Sequence, residues 1–245
     1  MVRLPNHVNP LIMLIMVMVQ AAFSSSGNYA FQAKKYFAQG NYEVAYGQYE
    51  RALGEARKEA NLDAEGKILT SMATLVTRAM EYEEAKKIFG MVNVGALDNA
   101  GKEEFYRAYM EFYNLQGNYM RSFEIAKNNS FKKPSAAFLG EAAVAAAGSK
   151  NYSEASAYLK KICKNSPGQQ AFYTAKVADL KGENSIELYE KALSISIEKK
   201  RYFTTGIILL RLAQITGNKD YAARSATVFL GLKLAKPFEQ AEALK

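Results

Sequence analysis

From Tyr29 onward, apolar and polar residues alternate at helical spacing. Tyr29, Ala33 and Tyr36 lie three and four residues apart and share one face; Ala45, Tyr49 and Ala52 do the same beyond Gly40-Asn41-Tyr42. This predicts two helices joined by a tight turn, with Gly40 taking the positive-φ conformation that ends the first helix at little cost. Ala33 and Ala45 predict where the two helices nearly touch, because neither side chain extends beyond a methyl. Tyr36, Tyr42 and Tyr49 are then expected to fill the space around that contact.

The same punctuation returns along the chain. Tyr82 precedes "EEAKKIF", Gly117-Asn118-Tyr119 precedes "MRSFEIA", and Asn151-Tyr152 precedes "SEASAYL". From Tyr42 these tyrosines follow at intervals of 40, 37 and 33 residues. A period of that size indicates stacked helical hairpins rather than one globular core. A longer echo pairs "RALGEARKEANLDAEGKILTSMATL" from Arg51 with "KALSISIEKKRYFTTGIILLRLAQI" from Lys191, at a constant offset of 140. Ala52, Leu53, Ile68, Leu69 and Ala73 recur there as Ala192, Leu193, Ile208, Leu209 and Ala213. The stretch "PSAAFLGEAAVAAAG" reads as a closely packed helix, opened by Pro134 and closed by Gly148.

These residues resemble the tetratricopeptide repeat. The first unit matches at Tyr29, Ala33, Tyr36, Gly40, Tyr42, Ala45, Tyr49, Ala52 and Leu53, and departs at Gln32 and Arg57, where Leu and Pro are usual. A second offers Leu69, Met72, Ala73, Tyr82, Ala85 and Phe89, with Met80 where Gly is usual. The third keeps Tyr106, Tyr113, Gly117 and Tyr119, with Ser122 in place of Ala; the fourth has Leu139, Ala143, Tyr152, Ala155, Leu159 and Pro167. Ser185, Tyr189, Ala192 and Leu193 supply a fifth, and Ser225, Phe229, Leu232 and Pro237 continue the register into a sixth. The resemblance implies an all-α, right-handed superhelical solenoid of about six antiparallel helix-turn-helix repeats over residues 28–237, with a tail at 238–245.

It also implies a concave binding surface, formed by the first helix of each unit. Carried over in register, its residues are Lys34, Phe37, Lys67, Thr70, Thr74, Arg78, Glu104, Arg107, Glu111, Asn114, Phe172, Lys176 and Asp179. Five are basic and three acidic, a slight bias toward an acidic peptide or protein partner. The fourth unit contributes only the small residues Ala137, Gly140, Val144 and Ala147. The carboxylate clamp of chaperone-binding relatives is not reproduced.

Residues 1–21 have the order of a secretory signal: Arg3, the apolar run from Leu11 to Val19, then Val19-Gln20-Ala21 as the cleavage region, with 22–27 as a short linker. An uncleaved segment would instead make the protein a membrane-tethered adaptor. Export to the periplasm or cell envelope is the expectation. Cleavage would remove Arg3 and His7, the only histidine, leaving 31 basic residues against 24 acidic, about +7.

The composition offers little to catalysis. Without His, the commonest general base and metal ligand are missing. The single Cys163 makes neither a disulfide nor a zinc site and reads as a small buried residue. No Gly-rich phosphate loop occurs. No enzyme, metal or cofactor is therefore expected, and an enzyme would have to reveal itself through facing carboxylates in a pocket. Lys132-Lys133, Lys160-Lys161-Lys164 and Lys199-Lys200-Arg201 are basic clusters, but acidic residues are interspersed among them. They read as solvated helical faces, with weak attraction to an anionic membrane surface rather than to nucleic acid.

Expressed in an export-competent host, the protein should have a mature N-terminus near Ala22 by mass spectrometry. A full-length chain in the membrane fraction would overturn cleavage in favour of tethering.

Overall fold

The computed structural model describes residues 25–162 and 166–245. The expected signal segment, the start of the expected linker and Cys163 lie outside the described residues. Thirteen α-helices follow one another: α1 Ser25–Ala38, α2 Tyr42–Lys58, α3 Leu62–Arg78, α4 Tyr82–Gly90, α5 Asn99–Leu115, α6 Tyr119–Asn128, α7 Ala136–Gly148, α8 Tyr152–Lys161, α9 Pro167–Leu180, α10 Ile186–Glu198, α11 Tyr202–Thr216, α12 Lys219–Gly231 and α13 Ala235–Glu242. One 3₁₀ turn, Val94–Ala96, precedes α5, and there is no strand among the described residues.

Most of the connections use one device. The second residue after the helix end takes a positive φ, and the following N–H reaches back to the carbonyl five residues earlier. Gly40 (φ 79°) does this with Asn41 N–H to the Tyr36 carbonyl at 2.9 Å. Met80, standing where glycine is usual, adopts the same conformation (φ 60°), with Glu81 N–H bonded to the Val76 carbonyl at 3.1 Å. Ala60, Lys150, Lys200 and Lys233 do likewise without glycine. Each left-handed L-residue costs about 1–2 kcal/mol, so the packing on either side of these turns must hold them. Side-chain caps start several helices: Asn61 accepts from Ala64 N–H at 3.0 Å, and Ser135 from Phe138 N–H at 3.2 Å. Ser135, rather than Pro134, is therefore what opens the Ala-rich helix.

Ala33, Ala45, Ala52 and Ala85 are fully buried, and α1 packs along α2 as α3 does along α4. The odd-numbered helices also meet one another in sequence, α1 with α3, α3 with α5, α5 with α7 and α7 with α9. They form a continuous inner row. In α7, every residue from Phe138 to Ala147 is buried, because α5, α6, α8 and α9 all pack on it. The predicted tail is helical through Glu242: α13 packs on α12, burying Pro237 and Ala241.

The array turns back until its ends touch. Phe203, Phe229, Leu232, Leu234 and Ala241 join one apolar core with Ala33, Tyr42 and Ala45. A Cβ at Gly40 would lie 2.6 Å from Leu232 Cδ2, so any other residue there would have to displace the end of that side chain as well as hold a positive φ. Lys233 pairs with Glu43 and Lys236 with Glu81, both at 2.6 Å.

Replacing Ala45 or Ala85 with Leu should overpack a helix contact that has no free space, lowering stability by about 1–3 kcal/mol in chemical denaturation. Unfolding curves matching the parent protein would show that the helices do not approach there.

A candidate ligand-binding cavity

The inner row lines a partly open cavity of about 580 Å³. All six helices α1, α3, α5, α7, α9 and α11 contribute to its wall, together with Tyr42 and Tyr49 of α2 and the α10–α11 turn. Its charged residues are Lys34, Arg78, Arg107, Lys176, Lys199, Lys200 and Arg201 against Glu104, Glu111 and Glu141. Cations outnumber carboxylates seven to three.

Two of the arginines are already engaged. Arg107 is buried; its Nε and Nη2 reach Glu104 at 2.9 and 2.8 Å, and its Nη1 reaches Glu111 at 2.5 Å. Arg78 Nε donates to the other Glu111 oxygen at 2.9 Å. Its guanidinium lies between two rings, with Cζ 5.0 Å from the Phe37 centroid and 4.9 Å from that of Phe203. Phe37 in turn stacks on Tyr42 at 5.0 Å. Burial drives the Glu111 pKa upward, but the charges of Arg78 and Arg107 outweigh it and hold the carboxyl at about 2, below its ordinary 4.5. Reversing either arginine would set a like charge beside the buried Glu111 carboxylate, so their first role is structural.

Glu141 is held differently. Its two oxygens accept from Tyr173 Oη and Asn114 Nδ2, both at 2.8 Å, and Asn114 also donates to the Glu141 carbonyl at 3.0 Å. Gly140 allows this, because a Cβ there would lie 2.1 Å from the Tyr173 ring. Burial, reinforced by the charges of Glu141 and Glu111, pushes the Tyr173 hydroxyl well above its ordinary pKa, so it remains a donor.

Of the residues assigned to the concave surface, Lys34, Phe37, Thr74, Arg78, Glu104, Arg107, Glu111, Phe172 and Lys176 line the cavity. Four do not. Lys67 bonds Asp63 and Asp98 at 2.7 and 2.6 Å at the outer ends of α3 and α5. Thr70 is buried and donates to the Gly66 carbonyl at 2.8 Å. Asn114 is buried behind Glu141, and Asp179 is held by Arg211 at 2.6 and 2.8 Å and by Tyr189 at 3.0 Å. Sequence reasoning missed Glu141, Tyr173 and the stretch Lys199–Phe203. Glu141 had a visible signal as the only charged residue in its Ala-rich run. Lys199-Lys200-Arg201, read as a solvated face, stands at the cavity because the last helices return to the first.

The cavity does hold three carboxylates, but Glu104 and Glu111 are both tied to guanidiniums, which suits ion pairing better than proton transfer. Among the described residues no group of three metal-ligating side chains occurs, and no helix is long and apolar enough to cross a membrane. No family model matches the chain, and no curated protein matches it.

Because the folded-state pKa of Glu111 is depressed, its contribution to stability is complete above about pH 4.5 and is lost as pH falls toward 2. Denaturation followed from pH 6 to 2.5 should show stability declining in that window. Glu111→Gln should lower stability at neutral pH by about 3 kcal/mol, because Arg78 loses its one carboxylate while Arg107 keeps Glu104, and flatten the acid limb. An acid limb as steep in the variant as in the parent would assign the decline to other carboxylates.

Proposed function

We propose that the chain is a non-catalytic protein-interaction scaffold that binds an acidic peptide or protein segment on its inner face. In this reading the helices pair as six tetratricopeptide-like hairpins, α1–α2 through α11–α12, in a right-handed superhelical solenoid closed by α13. The observation that carries it is the cavity itself: the first helix of every proposed hairpin reaches one cation-rich space. A groove residue set drawn from sequence-distant units is what a repeat protein offers a partner.

The cations fall into two groups. Arg78 and Arg107 neutralise Glu104 and Glu111. Lys34, Lys176, Lys200 and Arg201 have no carboxylate within 4.0 Å among the described residues, while Lys199 pairs with Glu198 at 2.7 Å. The first four are therefore available to an anionic partner, with Phe37 and Phe172 beside them as apolar contacts. Their attraction reaches about 8 Å in physiological salt and steers an acidic partner toward the cavity. The proposed setting is the periplasm or cell envelope, which rests on the N-terminal segment alone.

Affinity capture from cell-envelope extracts, followed by mass spectrometry, should identify the partner. Reversing Lys34, Lys176 and Lys200 to Glu should weaken its binding at least tenfold while leaving helical content unchanged by circular dichroism. Undiminished capture by that variant would move the binding surface to the outer faces of the helices.

A further inference from the structure

Among the described residues, Glu141 is the one cavity-wall carboxylate with no ion-pair partner. It is 4% exposed, and only the neutral donors of Tyr173 and Asn114 reach it. A carboxylate can accept about four hydrogen bonds, so two positions are unfilled. Behind it, Asn114 Oδ1 is buried with no donor among the described residues. On this side of the cavity no cation pairs with Glu141 among the described residues, the Arg107 guanidinium being taken up by Glu104 and Glu111, while Lys176, Lys200 and Arg201 have no carboxylate within 4.0 Å among the described residues.

A ligand that satisfies both must carry both signs. A purely acidic segment would leave Glu141 facing like charge in a desolvated place, where an unmatched carboxylate is expensive. A polyamine would meet three unpaired cations. A volume of about 580 Å³ falls within the range of small-ligand sites, roughly 300–1,000 Å³. At about 3.3–3.6 Å per extended residue, it suits a chain end of a few residues. Phe37 and Phe172 provide apolar surface for side chains between the charged ends.

We infer that the cavity takes a short peptide end as a zwitterion, with its free α-ammonium on Glu141 and its carboxylates on Lys176, Lys200 and Arg201. This rests on the reading of the cavity as an acidic-peptide site, and it names the part of the peptide recognised: a free amino terminus followed closely by acidic groups. Gly140 serves the same end, because the close approach of the Tyr173 ring aims its hydroxyl at one Glu141 oxygen and leaves the carboxylate fixed before the ligand arrives.

Isothermal titration of the full chain with the tripeptide Ala-Phe-Glu, free or N-acetylated, tests this. The free peptide should bind at least about tenfold more tightly, the value of one charge-assisted contact. Glu141→Gln should erase that difference, whereas Lys176→Glu should weaken both peptides alike. A merely structural Glu141 would weaken both peptides when replaced and would leave their ratio unchanged. If Glu141→Gln does not fold, the free-to-acetylated ratio in the parent protein decides alone. Equal affinity of the two forms overturns the zwitterion. Absence of tripeptide binding overturns it too, and a longer acidic peptide then separates the outcomes: its binding preserves the acidic-peptide reading, and its failure removes both.

Discussion

The Arg78 guanidinium carries the closure of this molecule. It sits between the rings of Phe37 on α1 and Phe203 on α11 and is bonded to Glu111 on α5, while its own helix is α3. Four helices, α1, α3, α5 and α11, thus meet on one half-buried cation. Each ring contact contributes about 0.5–2 kcal/mol, and Glu111 supplies the countercharge that such burial requires. By contrast, the ion pairs Lys233–Glu43 and Lys236–Glu81 that cross the same seam are largely exposed. Pairs of that kind contribute about 0–1 kcal/mol each. Closure therefore depends on Arg78 and on the apolar seating of Leu232 over Gly40, not on the surface charges.

Closing the array changes what the inner helices can do. In an open row, their inner faces would form a long groove; brought round to meet themselves, they enclose a bounded space. The same event divides the charges into two populations. Those nearest the Arg78 junction, Glu104, Arg107 and Glu111, compensate one another and give the wall its rigidity. Lys34, Lys176, Lys200 and Arg201 come from α1, α9 and the α10–α11 turn, and among the described residues no carboxylate lies within 4.0 Å of them. A pre-neutralised wall beside unpaired cations loses little in reorganisation when an anion arrives, which is the physical basis of preorganised binding.

The turns show how much of the molecule is local. Gly40 and Gly117 announce left-handed helix ends, and the structure has them there (φ 79° and 73°). Met80 did not announce one, yet its backbone is the same. The hairpin packing on both sides fixes the direction of the chain, and a strain of about 1–2 kcal/mol is small beside the apolar burial of Val76, Ala85 and Phe89 around it. The small-residue contacts at Ala33, Ala45 and Ala85 were equally legible, because close helix approach admits little but a methyl. Within the candidate site, legibility was partial. Phe37, Thr74, Arg78 and Arg107, read as sharing an inner helix face, line the cavity, while Lys67 is bonded to Asp63 and Asp98 instead.

The sequence by itself determined the helices, most of their ends and the small residues on which they touch, since these follow from 3.6-residue periodicity and from what glycine, asparagine and alanine permit at a turn or contact. Only the tertiary structure decided how far the row of helices curves. Curvature is the sum of small rotations between neighbouring helices, each set by how side chains from non-adjacent segments interlock, and no local pattern encodes that sum. It is the reason Phe203 lies against Arg78, and the reason Lys199-Lys200-Arg201 borders a cavity instead of bulk solvent. The same curvature leaves Glu141, buried on an otherwise alanine-rich helix, facing a space that the two ends of the chain enclose together.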